Sequence, residues 1–161
     1  GKKYVEAKEA VKVASKLKKQ LDKYNVVVDV YDTSINAYEF LKAGKTINFK
    51  NYDYVLEIHF NACVNDLKGN GKTTGSEILL PTRNTPKSTD LEKHILSNLA
   101  SMGFKNRGVK TQQLLVINTA SMSTSASLLE VCFIDDKDDM DIYVANRTKV
   151  AKKIANAFVR C

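Results

Sequence analysis

The sequence predicts a single α/β domain with a mixed, mostly parallel β-sheet of about five to six strands, flanked by helices on both faces. Short apolar segments alternate along the chain with longer segments whose apolar residues recur at helical spacing, which favours a sheet covered by helices. With 161 residues, 43% of them hydrophobic, the chain can bury one compact core. No repeat or proline-rich linker divides it, so we expect residues 1–161 to form one domain.

The first half of the chain predicts an amphipathic helix, a strand and a short second helix. A helix over residues 4–24 is indicated because one face is apolar and lysines fill the other. Asn25 ends this helix, a short buried strand follows at Val26–Tyr31, and a helical stretch lies around Ile35–Leu41. The apolar face of the first helix consists of Val5, Val11, Val13, Ala14, Leu17 and Leu21.

From Tyr54 onward, the chain predicts four strands and two helices. Pro86 and Gly103 mark the start and the stop of one helix. Four aspartates around position 137 suit the positive N-terminus of the last helix. The predicted strands are Tyr54–Ala62, Ser76–Pro81, Gln113–Asn118 and Ser127–Ile134, and the predicted helices are Thr85–Met102 and about 137–159.

One of these strands ends by presenting a histidine to a loop. Val55 and Ile58 belong to its buried part, and Asn61 breaks it, so His59 lies at the carboxyl end. Open α/β sheets place functional groups at this end of their strands. Taken alone, His59 is either a hydrogen-bonded core residue or a metal ligand.

A lone carboxylate, Glu130, is enclosed by apolar neighbours in the strand Ser127–Ile134. A carboxylate inside a hydrophobic strand is costly unless it is paired, protonated or bound to a metal. One imidazole and one carboxylate at such positions suggest metal-assisted hydrolysis.

The chain is basic, with a net charge of +7. Much of the excess lies in two helical segments, Lys12–Lys23 and Arg147–Arg160, which are either solvated helix faces or a surface for a polyanion such as an anionic wall polymer. We expect no nucleic-acid partner, because no aromatic-basic interleaving or zinc-finger spacing is present. We also expect no membrane span, since no run of about 18 apolar residues occurs.

Several apparent motifs carry no function. Lys68–Thr73 resembles the end of a phosphate-binding loop, but Asp66 stands where that motif needs glycine. Cys63 is four residues from His59 across a strand break, which does not reliably bring a thiol and its base together. His94, in the middle of a predicted helix, is expected at the surface.

The three cysteines are an odd number without metal-ligand spacing. Cys132, inside an apolar strand, suits a reduced structural thiol. We therefore expect a protein made in a reducing compartment.

Read in order, five segments carry a family resemblance. They are Glu6–Leu17, Ile58–Ala62, Gly75–Glu77, Arg107–Lys110 and Leu128–Asp135. Together they resemble the zinc-dependent N-acetylmuramoyl-L-alanine amidases over nearly the whole chain, and the last segment is most similar to the amidase domains of bacteriophage endolysins.

The resemblance implies a zinc site and a general base. His59 and Glu6 would be zinc ligands, with Glu9 as the alternative to Glu6, and Glu130 would be the catalytic base. The family's first zinc histidine and first strand have no counterpart here and are expected before Gly1. Candidate substrate contacts are Arg107, Lys110 and Asn61. Glu77 could contact the site residues without itself binding zinc or substrate.

The resemblance further implies hydrolysis of the amide bond between N-acetylmuramic acid and the L-alanine of the peptidoglycan stem peptide by zinc-activated water. We expect a monomer made in a host cytoplasm that acts on the bacterial cell wall, with peptidoglycan as its partner and anionic wall polymers as candidate further partners. The alternative is a non-catalytic module that binds the cell wall or another polyanion and keeps the amidase fold.

Overall fold

The computed structural model describes residues 4–63 and 66–160, and these form six helices and four strands. In chain order the elements are α1 (Glu6–Leu21), α2 (Ala37–Lys42), β1 (Tyr54–Asn61), β2 (Ser76–Leu80), α3 (Asp90–Ala100), β3 (Asn106–Thr111), α4 (Leu115–Ala120), β4 (Ser125–Phe133), α5 (Lys137–Ala145) and α6 (Arg147–Phe158). No helix within these residues has the length and apolar character needed to cross a membrane.

The strands form one open sheet in the order β1-β4-β2-β3. The outer pairs, β1 with β4 and β2 with β3, are parallel, whereas the central strands β2 and β4 are antiparallel. The predicted mixed α/β sheet is therefore confirmed. The expected number of five to six strands was wrong, since the described residues contain four. Two of the three strand pairings are parallel, as expected for a mostly parallel sheet, but the central pairing is antiparallel.

Two predicted strands are absent from the sheet. Val26–Tyr31 has no strand partner among the described residues, and Val27 is 93% exposed. β-branched composition favours a strand, but a strand also needs a neighbour for its backbone N–H and C=O groups. Gln113–Asn118 is not a strand either, because its apolar run enters α4, where Val116 and Ile117 are buried on one side. A short apolar run does not distinguish the two structures.

Two helix predictions need new boundaries. The helix predicted from Thr85 begins only at Asp90, since residues 81–89 form a loop in which the Thr85 hydroxyl donates to the carbonyl of Pro81. The final helix is divided into α5 and α6 at Asn146. The Asn146 side chain donates to the Ile142 carbonyl at 2.9 Å, and such side-chain bonds compete with the helical pattern.

Alternating side chains of the sheet pack into apolar clusters on its two faces, as predicted for a sheet with helices on both sides. Leu129 and Val131 of β4 belong to the larger cluster, which includes residues of α1, α3 and α6. Ala126 and Leu128 belong to the smaller cluster, which includes residues of α4. Successive strand residues point to opposite faces, so Glu130 lies on the same face as Leu128, beyond the apolar cover of α4.

Asp136 begins α5 and is only 2% exposed. Its side chain accepts a hydrogen bond from the Asp139 amide at 2.8 Å, but its Oδ2 has no hydrogen-bond partner within residues 4–63 and 66–160. Burial is the main cause that raises the pKa of Asp136, and the carboxylate of Asp139 adds to it. The cap therefore stabilises the helix while its second oxygen costs free energy.

Asp136→Asn should stabilise the protein by about 1 kcal/mol at neutral pH, because the amide keeps the capping oxygen and removes a buried negative charge that the carboxylate of Asp139 repels. Urea unfolding of the two proteins measures the difference. Asp136→Ala is the matched control and should lose about 1 kcal/mol with the cap. A loss of stability in Asp136→Asn comparable to that in Asp136→Ala would contradict this account of the buried oxygen.

Candidate active site

His59, near the carboxyl end of β1, is held by two carboxylates. Its Nδ1 lies 2.9 Å from Oε1 of Glu6, and its Nε2 lies 3.1 Å from Oε1 of Glu57. Glu6 stands in the first turn of α1, and the same oxygen accepts the backbone N–H of Phe60 at 3.4 Å. Helix α1 packs against β1, so its first turn meets the end of that strand.

Opposing effects act on the charge of this imidazole. Burial lowers the pKa of His59, but the hydrogen bonds with Glu57 and Glu6 outweigh it and raise the pKa to about 10. The side chain of His59 is nevertheless 38% exposed, so a ligand from solvent can reach it. A metal ion that binds either ring nitrogen of His59 would have to displace the proton on that nitrogen, because only a deprotonated imidazole nitrogen binds metal.

Glu130 stands next to His59 in the sheet. The register pairs His59 of β1 with Glu130 of β4, and Glu130 in turn faces Glu77 of β2. Oε2 of Glu130 is buried and has no hydrogen-bond partner among the described residues. Burial first, and then the charges of Glu6 and Glu77, raise the pKa of Glu130 to about 7 despite the opposite influence of His59. A carboxyl group with such a pKa can both take up and release a proton near neutral pH.

The three candidate substrate residues all converge on Glu77. Asn61 donates from Nδ2 to Oε1 of Glu77 at 2.9 Å. Arg107 donates from Nε to Oε2 at 3.1 Å, and Lys110 binds the same oxygen. The side chain of Glu77 is 9% exposed; burial opposes its ionisation, but the bonds from Lys110 and Arg107 hold its pKa below the usual value. Two cations against one carboxylate leave an excess of one positive charge beside Glu130.

A β-bulge makes this convergence possible. Residues three apart on a regular strand point to opposite faces, so Arg107 and Lys110 would ordinarily diverge. The register between β2 and β3 shifts between Ser76 and Ile78, and Gly108 adopts a φ of +85°. The extra residue turns both cations to the face that carries Glu77.

Glu9, the alternative zinc ligand, has another role. It is 3% exposed, and its carboxylate is bound by Lys12 at 2.7 Å, Arg147 at 3.1 Å and Tyr143 at 3.1 Å. It is thus part of the packing between α1 and the C-terminal helices, and Glu6 is the residue that the structure brings to His59.

Sequence reasoning missed Glu57 as a site residue. The signal was available, because Glu57 is a charged residue within an apolar strand, two positions before His59 and therefore on the same face. The free-energy cost of placing a carboxylate among apolar residues, which singled out Glu130, applies equally to Glu57. The chemical roles of Glu6, His59, Glu130 and the three residues around Glu77 remain predictions.

His59 Nδ1 and Glu6 Oε1 fit two ligands of a zinc ion. They face each other at an accessible position, imidazole and carboxylate are common zinc donors, and a buried oxygen of Glu130 lies unpaired beside them. Among residues 4–63 and 66–160, however, no group of three or more His, Cys, Asp and Glu side chains is arranged to hold a metal ion. The third ligand predicted from the resemblance lies outside the described residues.

Comparison with known proteins identifies the class to which this fold and site belong, the cell-wall amidases. The family model for N-acetylmuramoyl-L-alanine amidase matches residues 1–160, and the chain belongs to that family.

Solved structures agree with this assignment. The catalytic domain of the CD27L endolysin targeting Clostridia difficile is similar with a TM-score of 0.72 and 27% identity, over 96% of this chain and 83% of that one. The catalytic domain of the amidase CwlV from Bacillus (Paenibacillus) polymyxa var. colistinus shares the fold, with a TM-score of 0.71 and 18% identity over 98% and 85% of the two chains.

A curated relative from Clostridium perfringens, an uncharacterised 38.4 kDa protein, is 34% identical over 114 residues. The match covers 70% of this chain but only 31% of that protein, so the chain spans about a third of its relative.

Glu130→Gln should become more stable relative to the wild type as pH rises. The pKa of Glu130 is about 7 in the folded protein against a usual value of 4.5, so folding strengthens proton binding. The Glu130 carboxyl group contributes its full stability below the usual pKa of 4.5 and loses that contribution as the pH rises through the folded-state pKa of about 7. Glutamine at this position has no proton to lose, so its contribution does not change with pH.

Thermal unfolding in chelator between about pH 4.5 and pH 8 measures the effect. The difference in Tm between Glu130→Gln and wild type should grow over this range. Glu39→Gln, on the exposed surface of α2, is the control and should show no such trend. A constant difference for Glu130→Gln across the range would mean that burial does not perturb this carboxyl group.

Proposed function

We propose that this domain is a zinc-dependent N-acetylmuramoyl-L-alanine amidase of a bacteriophage endolysin. Its reaction would be hydrolysis of the amide bond that joins the lactyl group of N-acetylmuramic acid to the L-alanine of the stem peptide. The observation that carries the proposal is the position of Glu130, a part-buried carboxyl group whose buried Oε2 has no hydrogen-bond partner among the described residues, beside the accessible pair of His59 and Glu6. Family membership and the similarity to an endolysin catalytic domain support it.

His59 through Nδ1 and Glu6 through its carboxylate would hold the zinc ion. When bound, zinc supplies Lewis acidity that polarises the scissile carbonyl and makes water easier to deprotonate. Its positive charge would also replace the proton of His59 as the partner of Glu6.

Glu130 would act as the general base. Its carboxylate takes a proton from the attacking water, whose oxygen forms a bond to the carbonyl carbon. The carbon–nitrogen bond then breaks, and Glu130 passes its proton to the departing amine of alanine. A pKa of about 7 suits both steps, because the group is neither too weak a base nor too weak an acid near neutral pH.

Asn61, Arg107 and Lys110 would contact the stem peptide. They surround one side of the row formed by His59 and Glu130, and they leave an excess of positive charge there. Stem peptides carry carboxylates, which such a site attracts. The exposed lysines of α1 and α6 would add attraction to anionic wall polymers.

Glu130→Gln and His59→Ala should fail in different ways. Glu130→Gln keeps the shape but removes the base, so the rate should fall by about 10²- to 10⁴-fold while the zinc content is unchanged. His59→Ala should lose both activity and bound zinc. The rate of clearing of purified cell walls, measured together with zinc content by elemental analysis, separates the two cases.

Each alternative result has a definite meaning. Near-normal activity in Glu130→Gln would make Glu130 a structural carboxylate, and loss of zinc from this variant would make it a metal ligand. Full activity of the wild type in chelator, without bound metal, would refute the zinc assignment itself.

A further inference from the structure

Glu57 is a charged residue whose role neither the family assignment nor the mechanism above explains. It lies inside β1, where its register partner on β4 is Leu128, a buried residue of the smaller apolar cluster. The Glu57 side chain is 20% exposed. A carboxylate against apolar neighbours costs free energy unless it has a partner, and here that partner is Nε2 of His59 at 3.1 Å.

The two carboxylates at His59 stand on different elements. Glu6 belongs to the first turn of a helix and its side chain is 45% exposed, so a metal ion from solvent can reach its carboxylate. Glu57 is two residues from His59 on one strand, which fixes it on the same face of the sheet. The bond from His59 to Glu57 can therefore persist when the bond to Glu6 is replaced.

This difference between Glu6 and Glu57 determines which ring nitrogen of His59 can bind a metal ion. A neutral imidazole carries one proton, and the hydrogen bond made by one nitrogen determines that the other presents its lone pair. A proton held on Nε2 by Glu57 leaves the lone pair on Nδ1, the nitrogen that faces Glu6. An acceptor behind a metal-binding histidine also orients the ring and strengthens its basicity.

We infer that Glu57 is a positioning residue: it accepts the Nε2 proton of His59 and so presents Nδ1, together with Glu6, as the metal-binding pair. The inference rests on the zinc site proposed above and adds to it the ligand atom and the residue that selects it.

Zinc affinity provides the first test. Competition with a chromophoric chelator should show that Glu57→Ala binds zinc about 10- to 100-fold more weakly than the wild type, and that Glu57→Gln, whose amide oxygen still accepts a hydrogen bond, loses much less. Asp53→Ala, which removes an exposed carboxylate just before β1, is the matched control and should bind as the wild type does.

The protonated nitrogen can be observed directly. The ring signals of His59 are those that disappear in His59→Gln, which distinguishes them from the signals of His94 and of the histidine expected before Gly1. Long-range proton–nitrogen correlation spectra of the zinc-loaded protein should show the proton on Nε2 and zinc on Nδ1. Adding Glu57→Ala should abolish the slowly exchanging Nε2 proton.

Three results would overturn the inference: a proton on Nδ1 in the zinc-loaded wild type, unchanged zinc affinity in Glu57→Ala, or equal weakening in Glu57→Gln and Glu57→Ala, which would indicate charge alone. Glu57→Gln keeps the test valid if Glu57→Ala does not fold. A wild-type protein that binds no zinc at all would instead refute the proposed function, so the two failures are distinguishable.

Discussion

Ionisable side chains at matching positions on three neighbouring strands set the main constraint on this structure. His59, Glu130 and Glu77 stand side by side across β1, β4 and β2, on the face of the sheet that α4 packs against but beyond the part that α4 covers. Two carboxylates and an imidazole at this spacing cannot all keep their ordinary protonation states without partners, because charges in a partly buried environment interact strongly. The surrounding residues supply those partners.

The side chains at the two ends of the row, His59 and Glu77, have hydrogen-bond partners for their charged groups, whereas the central side chain is not fully paired. His59 is bound by Glu6 and Glu57, and Glu77 is bound by three donors that a β-bulge brings to one face. Glu130 keeps a buried oxygen that has no partner in the part of the chain that the structure describes. Within this row, the cost of buried charge thus falls on the group for which a mobile proton is chemically useful, as is common at functional sites.

The sequence was informative where a pattern had one physical explanation. The helical phase of α1 and the apolar strands β1, β2 and β4 were predicted close to their actual positions, and the cost of burying a charge identified Glu130. Apolar runs that fit both helix and strand led to the error at α4.

Some features depend on tertiary context that a single sequence does not display. Strand β3 was missed because its residues are polar and half exposed, as expected at a sheet edge. The convergence of Arg107 and Lys110 on Glu77 requires the bulge and the pairing of two strands separated by a helix. Glu6 was assigned through the family resemblance together with the helical phase of α1, and Glu9 was kept as the alternative.

The most direct test of the central claim is the chemical identity of the bond that the protein breaks. Purified peptidoglycan digested by the zinc-loaded protein can be analysed by mass spectrometry. The account predicts free stem peptides beginning with L-alanine and glycan strands whose muramic acid lactyl groups carry no peptide. Fragments with new reducing sugar ends, or peptides cut between amino acids, would contradict it.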